Sequence, residues 1–309
     1  MHIAHLSAWR VPIEFYGGSQ RVVVWQAKAQ AALGHTVTLL APSGSTCPGV
    51  RVVEVPPGTS YGRLLPAGAD VANLHGVPPV EIPAPFLVTT QGNSPVELEY
   101  TPHKVFVSAD HARRAGSKAF VYNGVDPDEF KYRERKDDYL LFLSKVSRPV
   151  KGVDTAIRLA RRLGVRLVIA GGTRFDLRRT GGLWDSLRAN VQFWGEVGGQ
   201  RKAELIAGAR ALLFPIRWHE PFGIVVAEAL VSGTPVITTP MGAMPELITP
   251  DVGFLCRTED EMADAICRIG DIDPAACRRR VLEHFTSAIC AQKYVRYYER
   301  LVAGEPLEP

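Results

Sequence analysis

Short apolar runs rich in Val, Ile and Leu alternate along the chain with longer amphipathic stretches, the pattern of strands and helices laid out as successive βα units around a parallel sheet. The first series opens with a strand over Ile3 to Leu6, a loop to Gly18 and a helix through Ala32. Gly34 then stops the helix, and a strand over Thr36 to Leu40 follows. Further strands are predicted at Arg51 to Val55, Val71 to Leu74, Phe86 to Thr89, Val105 to Ser108 and Phe120 to Tyr122. A charged, irregular stretch, DPDEFKYRERKDD, reads as a solvated connection. After it a second series begins with YLLFLS, a helix over Gly152 to Leu163, a strand over Val165 to Ala170 and a Gly- and Arg-rich loop. Next come a strand around Val191 to Trp194, a helix over Gln200 to Ala207, a strand over Ala211 to Phe214, a helix over Phe222 to Val231 and a strand over Pro235 to Thr238. Helices fill most of the remainder.

The alternation therefore predicts an α/β protein of two doubly wound, Rossmann-like parallel-sheet domains facing a central cleft, residues 1–125 and 139–290, joined by a linker at 126–138. A last helix in 291–309 is free to pack back on the first domain. In sheets of this kind ligands bind beyond the carboxyl ends of the strands, so functional residues are expected just after strands.

Composition narrows the class. A chain of 309 residues with 46% apolar and 22% charged residues is an ordinary folded protein long enough for two cores. The net charge of +4 suits an anionic substrate but falls short of a nucleic-acid binder. Five cysteines at no metal-ligand spacing give neither a disulfide framework nor a zinc site. The opening MHIAHLSAW carries no leader pattern and no run is long enough to cross a bilayer, so a cytoplasmic protein is expected, with a peripheral place at the inner membrane face left open.

The strongest local signal is WHEPFGIVVAEALVSGTPVI, in which a strand ends at Phe214, a loop carries His219 and Glu220, and a helix is predicted to open at Pro221 or Phe222. The amides of Phe222, Gly223 and Ile224 would then form an anion site at the positive end of the helix dipole. Glu228, two turns in, would offer a carboxylate to a ribose diol.

Glu220 and Glu228, placed around PFG and followed by SGTPVI, resemble the signature of the family-4 retaining glycosyltransferases of GT-B fold, in a short bacterial variant. FLSKVSRPVKGVD resembles the family segment whose two cations grip the donor diphosphate, with Lys145 and Lys151 in those places and Ser144 and Lys145 where Gly and Arg are usual. FYGGSQRVV resembles the glycine-rich turn after the first strand, so Gly17 and Gly18 are expected near phosphate, with Arg21 adding charge. His75, in VANLHGVPP, resembles the family's cleft histidine. Gln91, in FLVTTQGNSP, stands where many relatives carry a second histidine. VQFWGEV matches the segment meeting the nucleotide base, with Val197 the expected contact, and Asn123 and Gly124 read as a structural turn. Gly242 and Glu246 fall near the second anion helix, and Arg174, Arg178 and Arg179 read as a solvated cluster.

The resemblance implies a retaining hexosyltransferase that draws on a nucleotide sugar, UDP-linked for preference. Glu220, Lys145, Lys151 and His75 would be catalytic; Gly17, Gly18, Gln91, Val197, Phe222, Gly223, Ile224 and Glu228 would hold the donor. It implies no metal and no cofactor beyond the donor. The acceptor stays open among a soluble metabolite, a polysaccharide and a lipid-linked group, since no strongly amphipathic basic helix stands out. A non-catalytic nucleotide-sugar binder, a sugar-nucleotide epimerase and a glycoside phosphorylase of the same architecture remain the alternatives.

Overall fold

The computed structural model describes residues 1–15, 17–93 and 103–307. In chain order its strands are β1 His2–Ser7, β2 Thr36–Pro42, β3 Arg51–Val55, β4 Val71–His75, β5 Phe86–Thr90, β6 Lys104–Phe106, β7 Leu140–Leu143, β8 Leu167–Ala170, β9 Val191–Phe193, β10 Ala211–Phe214, β11 Val236–Thr238 and β12 Gly253–Leu255. Its helices are α1 Gly18–Ala32, α2 Ala109–Arg114, α3 Val153–Leu163, α4 Leu177–Thr180, α5 Leu183–Arg188, α6 Gly199–Gly208, α7 Ile224–Val231, α8 Met244–Leu247, α9 Glu259–Arg268, α10 Pro274–His284 and α11 Ser287–Val302. Two units result. One contains Met1–Ile13, Gly17–Asp126 and the residues from Phe285 onward; the other contains Pro127–His284 together with Glu14 and its neighbour Phe15.

In the first unit a parallel sheet runs in the order β3-β2-β1-β4-β5-β6. Successive side chains of a strand alternate between faces. Ile3, Val71, Leu87 and Val105 accordingly pack on Tyr294, Tyr298 and Leu301 of α11, while Ala4, Leu6, Ala72 and Leu74 pack on the segment around Tyr61, Leu64 and Leu65. Both faces are covered, which is why these strands read as unbroken apolar runs. The units are not uniformly βα: the links from β2 to β3 and from β4 to β5 carry no α-helix, and α11 returns from the far end of the chain to lie against α1 and β4. The unit boundary thus falls at Phe285, before α11, rather than near 291. Phe120 forms only an isolated bridge with Phe106, so the strand expected at Phe120 to Tyr122 is absent.

Beneath α1 and α11 the sheet buries a polar chain. Tyr294 and Asn73 meet at Thr89 Oγ1 at 3.1 and 2.8 Å, and Asn73 Nδ2 donates to Tyr298 Oη at 2.8 Å. Gln30 Nε2 donates to the same phenol at 3.3 Å, and Gln30 Oε1 lies 2.7 Å from His5 Nε2. His5 Nδ1 lies 3.0 Å from His75 Nε2. A phenol oxygen accepts two hydrogen bonds and donates one. Gln26 is the third amide at Tyr298, at 3.2 Å, and its Oε1 has no partner as drawn, so Gln26 is the amide that turns its oxygen to receive the phenol proton.

The second unit repeats the plan. Its parallel sheet runs β12-β11-β10-β7-β8-β9, the same order as the first when each is counted from its own first strand. The order reverses between β7 and β10, the place where a crevice opens at the carboxyl edge. The edge strand β12 escapes sequence reading because three residues carry no period. The expected solvated linker is partly built in: Phe130 is buried, and Lys136 Nζ donates to the Ala207 and Ser232 carbonyls and to Thr234 Oγ1 at 2.9, 3.2 and 3.1 Å. That cation closes the ends of α6 and α7, where helix carbonyls lack internal partners. The Gly- and Arg-rich stretch is not plain loop but a 3-10 turn, Arg174–Asp176, followed by α4 and α5.

Two outcomes test the buried chain. Tyr298→Phe leaves the Asn73 and Gln30 amides without their acceptor and should cost about 2 kcal/mol, read as a lower urea midpoint; an unchanged midpoint would show the network to be dispensable. Burial holds His5 down to about 4 from its ordinary 6.5, so the unfolded chain takes up a proton on acidification before the folded one does. The stabilisation is full above pH 6.5 and is lost as pH falls toward 4, amounting to about 2 kcal/mol by pH 5. His5→Gln should flatten the fall of Tm between pH 7 and 5; an equal slope would count against it.

Candidate active site

At the carboxyl edge of the second sheet, the loops after β7, β8, β9, β10 and β11 bring together most of the residues singled out from the sequence. Lys145 follows β7 and is exposed, on a backbone held by Ser144 N–H donating to the Ala170 carbonyl at 3.1 Å and Val146 N–H to that of Gly171 at 3.0 Å. Lys151 ends a 3-10 turn over Pro149–Lys151 that Gly152 reverses in the left-handed region at φ 76°. A Cβ on Gly152 would sit 1.9 Å from the Pro215 carbonyl oxygen. Only glycine allows this approach, and it seats Lys151 against the loop after β10.

There Lys151 Nζ lies 2.5 Å from Glu220 Oε2, with only 4% of the lysine residue exposed. Trp218 Nε1 donates to the same oxygen at 2.8 Å, and the indole ring lies 4.6 Å from the ammonium. The Arg148 guanidinium stands 5.5 Å from that ring, so Trp218 faces two cations while fixing one carboxylate. From the other side Gly242, at φ 62°, brings the loop after β11 against the Glu220 backbone, and Ala243 N–H donates to the Glu220 carbonyl at 2.9 Å. Glu220 is therefore fixed through its backbone by one loop and through its side chain by another.

The helix start differs from expectation. Gly223 takes a left-handed conformation at φ 92° and α7 opens at Ile224, so Pro221 and Phe222 lie in the preceding turn with Phe222 buried. The first-turn amides begin at Ile224. Glu228 occupies the expected turn of α7, but it is 2% exposed and its carboxylate is met at 2.5 Å by Lys202 Nζ from α6. Val197, also buried, stands in the loop between β9 and α6, the helix that carries Lys202. Sequence reading missed Trp218 and Lys202. The first lies inside the quoted motif; nothing in spacing marks the second.

In the first unit, Gly17 caps the start of α1 and Gly18 is its first residue. His75 is the last residue of β4 rather than the first beyond it, its ring is fully buried, and its tautomer is set by the chain described above. Gln30 accepts from His5 Nε2–H, so His5 Nδ1 accepts from His75 Nε2–H and the Nδ1 of His75 is left a bare lone pair. Burial, and then the neighbouring His5, hold His75 well below the ordinary imidazole range. Gln91 and Asn123 exchange amide hydrogen bonds at 3.0 and 3.4 Å. A Cβ on Gly124 would meet the Thr286 carbonyl at 2.3 Å, so that glycine joins the chain to the start of α11. Among the described residues, no three His, Cys, Asp or Glu side chains gather so as to hold a metal ion, and no helix is long and apolar enough to cross a membrane.

Breaking a buried ion pair from one side is costly because the remaining charge loses its counterpart. Lys202→Met should lower stability by about 3 kcal/mol, and Glu228→Leu added to it should recover most of that loss; strictly additive losses in thermal unfolding would show the two residues to be uncoupled.

Known proteins resemble the chain in sequence and in fold. Residues 125–277 match the model of the glycosyl transferases group 1. The chain is 27% identical to the phosphatidyl-myo-inositol mannosyltransferase of Mycobacterium tuberculosis, over 93% of this chain and 94% of that protein. It is 30% identical to the D-inositol 3-phosphate glycosyltransferase of Mycobacteroides abscessus, over 59% of this chain and 46% of that one. Among solved structures, AviGT4, a glycosyltransferase involved in avilamycin A biosynthesis, superposes with a TM-score of 0.82 at 29% identity over 98% of both chains. Sucrose-phosphate synthase from Thermosynechococcus elongatus shares the fold, with a TM-score of 0.76 at 19% identity over 98% of this chain and all of that one. With two parallel six-stranded sheets of one topology and a lysine–glutamate site at the switch point of the second, the chain belongs to the group 1 glycosyltransferases and has their GT-B fold.

Proposed function

We propose that the protein is a retaining, metal-independent hexosyltransferase that uses a nucleotide sugar, UDP-linked for preference. The observation that carries this reading is the Lys151–Glu220 pair, fixed by Trp218 at the switch point of the second sheet on the same edge as Lys145. A departing nucleoside diphosphate gains negative charge as the glycosidic bond breaks, and preplaced cations stabilise that charge without reorganising. Lys151 and Lys145 take this role. Glu220 holds Lys151 and accepts from a sugar hydroxyl with its remaining lone pairs.

Retaining glycosidases use a carboxylate nucleophile about 5 Å from the acid. Here the Glu220 carboxylate is already engaged by an ammonium and an indole N–H, which suits an orienting group better than a nucleophile. The acceptor oxygen then bonds the anomeric carbon on the face from which the diphosphate leaves, and the acceptor proton passes to a leaving phosphate oxygen. Glu228 of α7, held by Lys202, is the carboxylate assigned to the ribose, and the backbone at Val197 is assigned to the base. His75 enters as a buried residue shaping the turn after β4, not as a catalytic group. The activities for which the two mycobacterial relatives are named make a phosphorylated or lipid-linked cyclitol the first acceptor class to screen.

Thermal unfolding with UDP-, GDP- and ADP-sugars in EDTA tests the donor site. A ligand at 100 times its Kd adds about 2.7 kcal/mol, and one nucleotide class should raise the midpoint in the parent and fail to in Lys151→Ala. No shift with any nucleotide sugar would remove the donor site. A shift without turnover across acceptors would favour the non-catalytic binder, and an inverted product anomer, read by proton NMR, would overturn retention.

A further inference from the structure

The segment between β8 and β9 carries an apolar and basic surface that includes none of the residues assigned to glycosyl transfer above. Scattered exposed hydrophobics are normal, but Trp184 at 77% and Phe175 at 75% are the two most exposed large hydrophobic residues among those described, and Leu187 of the same segment is 57% exposed. Their placement is not accidental to one loop. Trp184 and Leu187 stand three residues apart on α5 and share a face. The turn bearing Phe175 packs against α5, and Arg174 joins the two by donating to the Ser186 carbonyl at 3.2 Å and the Val191 carbonyl at 3.4 Å.

Basic side chains outnumber acidic ones around these residues, four arginines to two aspartates. Arg178, Arg179 and Arg188 are exposed, and Arg178 stacks 5.6 Å from the Phe175 ring. The two acids of the segment are turned to partners other than these arginines: Asp176 accepts from Thr173 N–H and Oγ1 at 2.7 and 3.1 Å, and Asp185 pairs with Arg161 at 2.5 Å. Tryptophan, phenylalanine and leucine interleaved with uncompensated arginine match the interface of a bilayer, where the rings enter the headgroup layer and the guanidinium groups meet lipid phosphate. A second copy of the chain would set this basic face against itself, and an apolar protein partner would leave the arginines uncompensated.

We propose that Phe175, Trp184 and Leu187, with Arg178, Arg179 and Arg188, form a docking surface for an anionic phospholipid membrane. The surface lies on one unit, and its reading does not depend on which donor or acceptor the enzyme uses.

Cosedimentation of the full chain with vesicles of phosphatidylcholine alone, or mixed with phosphatidylglycerol, tests it at low and high salt. The parent should bind the anionic vesicles, release as salt rises and ignore the neutral ones. Arg178→Gln with Arg179→Gln should weaken binding about fivefold per arginine, and Phe175→Ser with Trp184→Ser should abolish it, both variants keeping the parent's Tm and its nucleotide-dependent stabilisation. No binding to anionic vesicles at low salt would overturn the proposal, as would equal binding by the variants. So would a concentration-dependent dimer in light scattering that the serine variant dissociates while the parent ignores vesicles. Because nucleotide stabilisation is read separately, failure here leaves the donor site standing, and failure there leaves this surface standing.

Discussion

A lysine buried in a protein interior must bring a partner with it, since an unpaired ammonium loses more hydration than packing returns. The second unit buries two at its carboxyl edge, Lys151 and Lys202, each seated on a glutamate of the segment running from the end of β10 into α7. That requirement explains much of the local architecture. Gly152 must be left-handed for Lys151 to reach the loop after β10, and Gly242 must be bare for the loop after β11 to close on Glu220. The spacing of Glu220 and Glu228 thus reflects two separate lysines: one arrives from the turn after β7, the other from the helix after β9. An arrangement of this kind is preorganised. The cations are held by protein carboxylates before any anionic ligand arrives, so little side-chain ordering is left for the moment of binding.

Most strands were legible because a parallel sheet covered on both faces imposes unbroken apolar runs, and β3 and β10 match expectation to the residue. What escaped notice had weak local signals. β12 is three residues long, and Phe120 to Tyr122 looks like a strand but makes only a single bridge to Phe106 at the end of β6. The start of α7 was misplaced because Pro221 suits a first helical turn, whereas tertiary packing made Gly223 left-handed and moved the start to Ile224. Within the site, Lys145, Lys151, Glu220 and Glu228 were visible through the motif that contains them. Lys202 was not, because a pairing between two helices leaves no trace in the spacing of either. His75 was visible as a histidine after a strand, but its burial depends on His5, Gln30 and Tyr298, three residues scattered from one end of the chain to the other.

That scattered set shows how the first unit is closed. The links from β2 to β3, β3 to β4 and β4 to β5 carry no α-helix, so the face under α1 would be left short of cover without α11. The returning helix brings two tyrosines whose hydroxyls need partners once buried, and the sheet answers with Asn73, Thr89 and, through Gln30, His5. A satisfied polar chain beneath an apolar helix specifies the seat of that helix more narrowly than apolar packing alone, because sliding it by one turn would strand several buried donors together. The residues from Phe285 onward therefore belong to the first unit by hydrogen-bond accounting as well as by packing.

The two units follow one strand order yet use their carboxyl edges differently, and the difference is electrostatic. At the switch point of the first sheet stands a buried pair of imidazoles held neutral by burial, which offers a ligand no charge. At the switch point of the second stand Lys145, Lys151 and Glu220, and Arg148 lies against the indole that orients the glutamate. A common topology supplies the crevice in both cases. Only the second carries a buried, carboxylate-held cation there, so the difference between the halves lies in which side chains the same scaffold carries at the same place.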